Sequence, residues 1–234
     1  MIKKILRAKG RGLTQTDWLR AQHVFSFNRF YDSERMGVGP LIVLNDDEIA
    51  ANSGFAAHPH RDMEIVTIVV EGELHHKDST GGIGILGPEH IQIMSAGTGI
   101  VHSEYNGSKH HDTHSIQIWV RPRTFGLPPR YGDYLVKAQM LNEWTTLVAP
   151  SCERKIEADV SILRGKYEQA QLARLAPLLE SESYFLYVIS GEVEIEQDTL
   201  SSGDGAIIKN ASVDQSIQVK KECDLLLFRL KESD

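Results

Sequence analysis

Four side chains in the first half of the chain have the types and the spacing to hold a metal ion. His58 and His60 stand two apart in Gly54-Phe55-Ala56-Ala57-His58-Pro59-His60, and His102 and Glu104 stand two apart in Gly97-Thr98-Gly99-Ile100-Val101-His102-Ser103-Glu104-Tyr105-Asn106. In an extended strand, residues two apart project to one face, so each pair offers its donors together. Two such pairs meeting across a barrel interior would set three imidazoles and one carboxylate at roughly 2 Å from a common centre. Imidazole suits zinc, copper, iron and nickel, and a carboxylate in the set shifts the balance toward oxygen or hydrolytic chemistry. An ion preferring five or six ligands would keep a position open for substrate or water, whereas zinc would be nearly closed.

A single His-x-His on a strand is more often a structural or surface feature. The second pair behind a glycine turn is what lifts the metal reading. All ten histidines lie at or before His114. Glu64 has the parity of His60, but a rise of ~3.3 Å per residue carries it ~13 Å along the strand, so a structural role is expected. His75 and His76 flank a turn and are expected in solvent, as are His110 and His111 in a polar loop. His23 reads as a core or rim residue, and His90 and His114 are left open.

The elements that must position these groups read as strands. Phe25 and Phe27 alternate with polar residues, and Leu41-Ile42-Val43-Leu44 ends at Asn45-Asp46-Asp47. Ile65 to Val70 is β-branched at every position and stops at Glu71-Gly72. Ile91-Gln92-Ile93-Met94 and Ser115 to Val120 alternate again. Short strands about ten residues apart with glycine turns between them point to an all-β sandwich or barrel. Residues 121–135 turn to proline, glycine and arginine and read as an extended linker.

The second half partly repeats the first. Tyr187-Val188-Ile189-Ser190-Gly191-Glu192-Val193-Glu194 matches Ile68-Val69-Val70-Glu71-Gly72-Glu73-Leu74-His75, and Gly203 to Lys209 matches Gly87 to Ile93. The glycine register sets Pro177 and Leu179 where His58 and His60 stand, so the repeat keeps the architecture without the ligands. Leu172, Leu175 and Leu179 have helix-like spacing, and only the repeat favours strand there. The division expected is a metal-binding domain over residues 1–125 and a second domain over 126–234 without metal ligands.

Composition sets the remaining bounds. With 25 basic against 32 acidic residues and a net charge of −7, direct nucleic-acid binding is not expected. Nothing approaches the ~20 apolar residues of a membrane span or a signal-peptide core. Cys152 and Cys223 lack partner-type spacing, which fits a reducing compartment, so a cytoplasmic protein is expected.

Phe25-Ser26-Phe27, Leu44-Asn45-Asp46-Asp47, Gly54-Phe55, His58-Pro59-His60-Arg61-Asp62-Met63-Glu64 and Met94 through Asn106 together resemble the pirin family of bicupins. The resemblance is specific over residues 13–131 and architectural beyond. It implies two facing cupin jelly-roll β-barrels with metal in the first alone, ligated by His58, His60, His102 and Glu104. His102 and Asn106 keep the cupin His-x-x-x-Asn spacing, while Ser95-Ala96-Gly97 replaces the usual proline-led turn, a departure shared by pirins. The metal implied is Fe(II) first, with Ni, Mn, Cu, Co or Zn as alternatives. One function implied is dioxygenation of a flavonol such as quercetin, with Glu104 also serving as base for the flavonol hydroxyl. The other is a regulatory protein whose binding of a protein partner follows the iron oxidation state. A dioxygenase needs an apolar cavity beside the metal, and Phe25, Phe27, Ile93 and Val101 are the candidate walls.

Overall fold

The structure is a computed structural model and describes residues 1–136 and 140–231. Among these residues the first half runs β1 (Ile2–Leu6), β2 (Gly12–Gln15), β3 (Leu19–His23), β4 (Leu41–Ile49), β5 (Gly54–His60), β6 (Glu64–Glu71), β7 (Leu74–Asp78), β8 (Ile83–Leu86), β9 (His90–Ser95), β10 (Ile100–Tyr105), β11 (Thr113–Val120) and β12 (Arg130–Leu135). The second half runs β13 (Trp144–Val148), β14 (Val160–Tyr167), β15 (Leu172–Leu175), β16 (Glu182–Ile195), β17 (Asp198–Ser201), β18 (Gly205–Lys209) and β19 (Gln215–Lys231). The expected all-β fold is what forms, and the only helical piece described is a single 3-10 turn at Ala8–Gly10. No helix among the described residues is long and apolar enough to cross a membrane.

The first jelly roll has two sheets. A seven-stranded sheet, β12-β9-β6-β11-β4-β3-β2, packs on a four-stranded sheet, β5-β10-β7-β8. Leu19, Ala21, Ile49 and Val69 of the larger sheet join Leu74 and Leu86 of the smaller in one buried cluster, and Ile65 and Met94 meet Ile100 in another. The second half builds one eight-stranded sheet along β1-β18-β16-β19-β14-β13, with β15 on β19 and β17 on β16. It curls around its own apolar interior of Tyr167, Leu175, Leu186, Val188, Val193 and Leu225.

The largest core lies between the halves. Val66, Ile68, Ile91, Ile93, Ile116 and Ile118 pack there with Ile162, Phe185, Tyr187, Leu226 and Phe228. Alternation along each strand explains this: on β6, Val66 and Ile68 face the partner half while Ile65, Thr67 and Val69 face their own interior. A strand buried on both faces reads as the nearly continuous apolar run seen from Ile65 to Val70.

Two strands depart from the order along the chain. β1 pairs with β18, from Ile2↔Lys209 to Leu6↔Gly205, so the N-terminus completes the sheet of the second half. β12 pairs with β9, from Arg130↔Ser95 to Leu135↔His90, and completes the seven-stranded sheet. The stretch read as a linker over 121–135 is therefore irregular only through residue 129 and ends as an edge strand. Leu172 to Leu175 is strand on β19, and the helical spacing is not realised. Gly72 and Gly191 take φ of +83° and +89°, a region that disfavours any residue with a Cβ, and this pins the matched turns of the two halves. Both cysteines are free, and burial, the largest cause, pushes the Cys223 thiol up to about 11.

Candidate metal centre

β5 and β10 lie side by side in one sheet, with His102 opposite His58 and Ile100 opposite His60. The histidine pairs therefore meet along a shared ladder, not across the barrel interior as the sequence led us to expect. β5 forms the edge of its sheet, a place where Pro59 is tolerated. Three residues of β10, from His102 to Glu104, span four of β5, from His58 to Phe55, so a bulge on β5 bends the sheet beside the site.

The three rings form a tight group. Centroids lie 4.4 Å apart for His58 and His102, 4.8 Å for His58 and His60, and 4.8 Å for His60 and His102. One ligand nitrogen from each falls within 4.8 Å of the others. His58 Nδ1 lies 2.8 Å from the Ala56 carbonyl oxygen, which can only accept, so Nδ1 carries the proton and Nε2 keeps its lone pair. Burial, reinforced by the neighbouring rings, lowers His60 to about 4 and His102 to about 3. Both are thus neutral donors at neutral pH. His102 Nε2 is buried without a hydrogen-bond partner, an arrangement costly unless a cation completes it.

Glu104 lines the same cavity but belongs to a second donor group. Its carboxylate groups with His102 and His76, again within 4.8 Å, so two triads share His102. Gln92 Nε2 donates to its Oε1 at 2.9 Å and Gln117 Nε2 to its Oε2 at 2.7 Å. Thr67 Oγ1 lies 3.3 Å from Oε1 and 3.0 Å from Gln117 Oε1, so its single proton serves one of them. Neutral imidazoles and a carboxylate make a donor set suited to one divalent transition metal.

A cavity of about 240 Å³ runs up to these groups, walled by Leu19, Ala21, Phe27, Phe55 and Trp119. Of the four walls expected, Phe27 alone lines it. Phe25 packs on Phe185 between the halves, Ile93 faces that same core, and Val101 is exposed on the outer face of β10. The parity of β9 was the missing fact: Gln92, not Ile93, faces inward.

Two polar groups near the site escaped the sequence reading. Asp47 lines the cavity with Oδ1 unpartnered, and burial, with the charges of Asp46 and Glu104 adding, pushes its carboxyl well above the usual range. His76, expected in solvent, is 2% exposed. It sits behind His102 and stacks on Tyr131 at 4.3 Å and 11°. A signal for it existed, because Leu74, His76 and Asp78 share one strand face and Leu74 is a core residue type. His75 does lie partly in solvent beside Glu73, and His110 and His111 are exposed as expected. His23 is a cavity wall held by Asn45 and Thr14, His90 pairs with Asp133, and His114 pairs with Asp46. Glu64 is buried away from the cavity, where it accepts from Ser95 at 2.6 Å. Asn106 spends its side chain on the Ile49 and His111 carbonyls, closing the turn after β10.

Two jelly rolls, one with a histidine-rich interior and one without, define a bicupin. The family comparisons agree: residues 6–120 match the pirin model and residues 151–230 match a quercetinase C-terminal cupin domain. The chain is 36% identical over 230 residues to a quercetin 2,3-dioxygenase of Escherichia coli, covering 96% of each. It is 37% identical over 215 residues to a pirin-like protein of Caulobacter vibrioides, covering 90% of this chain and 91% of that one. Among solved structures, the bacterial pirin YhhW of Escherichia coli in complex with nickel(II) superposes with a TM-score of 0.91 at 34% identity, over 99% of this chain and all of that one. The chain belongs to the pirin family.

Proposed function

We propose that this protein is a metal-dependent dioxygenase that opens flavonols such as quercetin with O2, and that His58, His60, His102 and Glu104 hold its metal. The observation that carries the reading is the aromatic-walled cavity ending on His102 Nε2, a buried lone pair with no partner. Fe(II) is the metal proposed first, and the nickel(II) complex of the related YhhW supports the binding of a divalent ion. When bound, such an ion supplies Lewis acidity toward a flavonol oxygen and a template for the two reactants.

The chain's own residues supply the rest. Phe27, Phe55 and Trp119 offer flat apolar contact to a ring system and exclude water. The cavity is slightly smaller than the ~300–1,000 Å³ usual for drug-sized ligands, so it favours a thin planar molecule over a bulky one. Glu104 accepts the flavonol hydroxyl proton at a carboxylate oxygen; its amide donors use two of its roughly four acceptor positions. Burial favours the protonated form of Asp47, and in that form it donates to a substrate oxygen that reaches its side of the cavity.

The test is anaerobic reconstitution with Fe(II), Ni(II), Mn(II), Cu(II), Co(II) and Zn(II) in turn, followed by quercetin turnover and oxygen uptake. Turnover with at least one metal, lost in His58→Ala and Glu104→Ala, is expected. Metal binding through these residues without oxygen uptake for any flavonol would reject the enzyme in favour of a regulatory protein.

A further inference from the structure

Three imidazoles must present lone pairs to one point, and two of them face different problems. His58 is fixed by the Ala56 carbonyl, as described above. His102 has no carbonyl within reach of its Nδ1. What faces that nitrogen is His76 Nδ1, at 3.5 Å. Two identical ring nitrogens can share only one proton, so something further back must decide which ring owns it.

Asp78 is placed to decide. Its Oδ1 accepts from Thr80 N at 2.7 Å, Thr80 Oγ1 at 2.6 Å and Gly82 N at 3.0 Å. This leaves Oδ2 to face His76 Nε2 at 2.9 Å. A carboxylate only accepts, so His76 carries its proton on Nε2 and offers a lone pair at Nδ1. The shared proton then belongs to His102 Nδ1, and Nε2 of His102 becomes the lone pair left unpartnered in the interior. His76, Asp78 and His102 are 2%, 8% and 2% exposed, so water is poorly placed to substitute for any link. The β7–β10 ladder sets the register by placing Asp78 opposite His102 and His76 opposite Glu104. Tyr131, carried in by β12, holds the His76 ring flat from the other side.

We infer that His76 and Asp78 are positioning residues that lock His102 into the Nδ1–H tautomer and so present its Nε2 to the metal. The inference rests on the metal reading of the cluster. It makes His76 a support and not a ligand, although its nitrogen lies close enough to Glu104 and His102 to be mistaken for one.

The informative substitution is Asp78→Asn. The Thr80 and Gly82 donors would keep the amide oxygen, turning the amide NH2 toward His76 Nε2. Each proton in the chain then shifts one nitrogen inward, and His102 Nε2 carries a proton where the metal should sit. Misassigned tautomers of this kind are how loss of an orienting carboxylate disables a catalytic histidine. The expected result is Ni(II) or Zn(II) binding, measured by titration calorimetry, weakened roughly ten- to a hundredfold, and by a similar amount in His76→Phe, which keeps the ring stack. Lys77→Ala, between them on the outer face of β7, should bind as the parent does.

The tautomer can also be read without any variant, from nitrogen NMR of the metal-free parent labelled at histidine. His102 protonated at Nδ1 is expected; His102 protonated at Nε2 overturns the inference, as does parental metal affinity in both Asp78→Asn and His76→Phe. Failure of the underlying metal reading looks different: His58→Ala would then leave metal affinity unchanged, while the His102 tautomer of the metal-free protein would still decide the relay.

Discussion

The two halves share a strand plan and differ in what fills them. In the second, the inward-facing side chains of β16 and β19 are Tyr184, Leu186, Val188, Leu225 and Leu227, all buried in one apolar cluster. In the first, the corresponding interior carries a polar layer of Asp47, Thr67, His76, Gln92, His102, Glu104 and Gln117, with small apolar clusters on either side of it. The first half can accept a polar interior because its outer face is tied to the second through the large core between them. One half therefore contributes stability to the pair while the other holds reactive groups. Most of its polar layer is satisfied by internal hydrogen bonds; the exceptions are Asp47 Oδ1, Gln92 Oε1 and His102 Nε2, and Asp47 and His102 line the cavity.

The sharpest way to break this contrast is to remove His102, the residue that both donor groups share. His102→Ala should lower bound metal per chain to near zero by elemental mass spectrometry, leaving the fold by circular dichroism intact. In the second half the equivalent insult is structural: Leu186→Ala, at a fully buried position, should cost about 2–5 kcal/mol in denaturant unfolding with no direct effect on the metal donors. Gln117→Leu moves the first half toward the apolar pattern of the second, but strands Glu104 Oε2 without its 2.7 Å donor. A loss of about 1–3 kcal/mol is expected from the same measurement.

The smallest effect is a pH dependence that only the first half can show, since it holds every histidine. His60 and His102 titrate near 6.5 when unfolded but at about 4 and about 3 when folded. Between these values the unfolded chain binds protons that these two folded rings refuse, so their contribution to the stability of the metal-free protein rises with pH across that window and is lost as pH falls, while the raised carboxyls of Asp47 and Glu64 act in the opposite sense. His60→Gln should flatten the slope between pH 4 and 6.5 in equilibrium unfolding; an unchanged slope would show that this ring is not held neutral.

Much of the site was legible because strand periodicity is local. His58 with His60, and His102 with Glu104, share faces wherever an extended strand is folded, and the glycine turns at Gly72 and Gly191 mark the repeat through a backbone conformation other residues avoid. Parity alone does not say which face is interior, and that is why Phe25 and Ile93 were assigned to the cavity and are found between the halves. His76 was misplaced for the same reason, read as part of a turn instead of as the neighbour of Leu74 on an inward face.

By itself the sequence determined the all-β class, the two similar halves, and the pairs of donors that project together, since each depends on spacing within a few residues. Tertiary structure alone decided that β5 and β10 lie side by side, that β1 completes the sheet of the second half while β12 completes that of the first, and that Asp78 stands behind His76 and His76 behind His102. Those facts depend on which strands pair and on where a bulge falls, and such choices are made by the packing of distant side chains, beyond the reach of any local pattern.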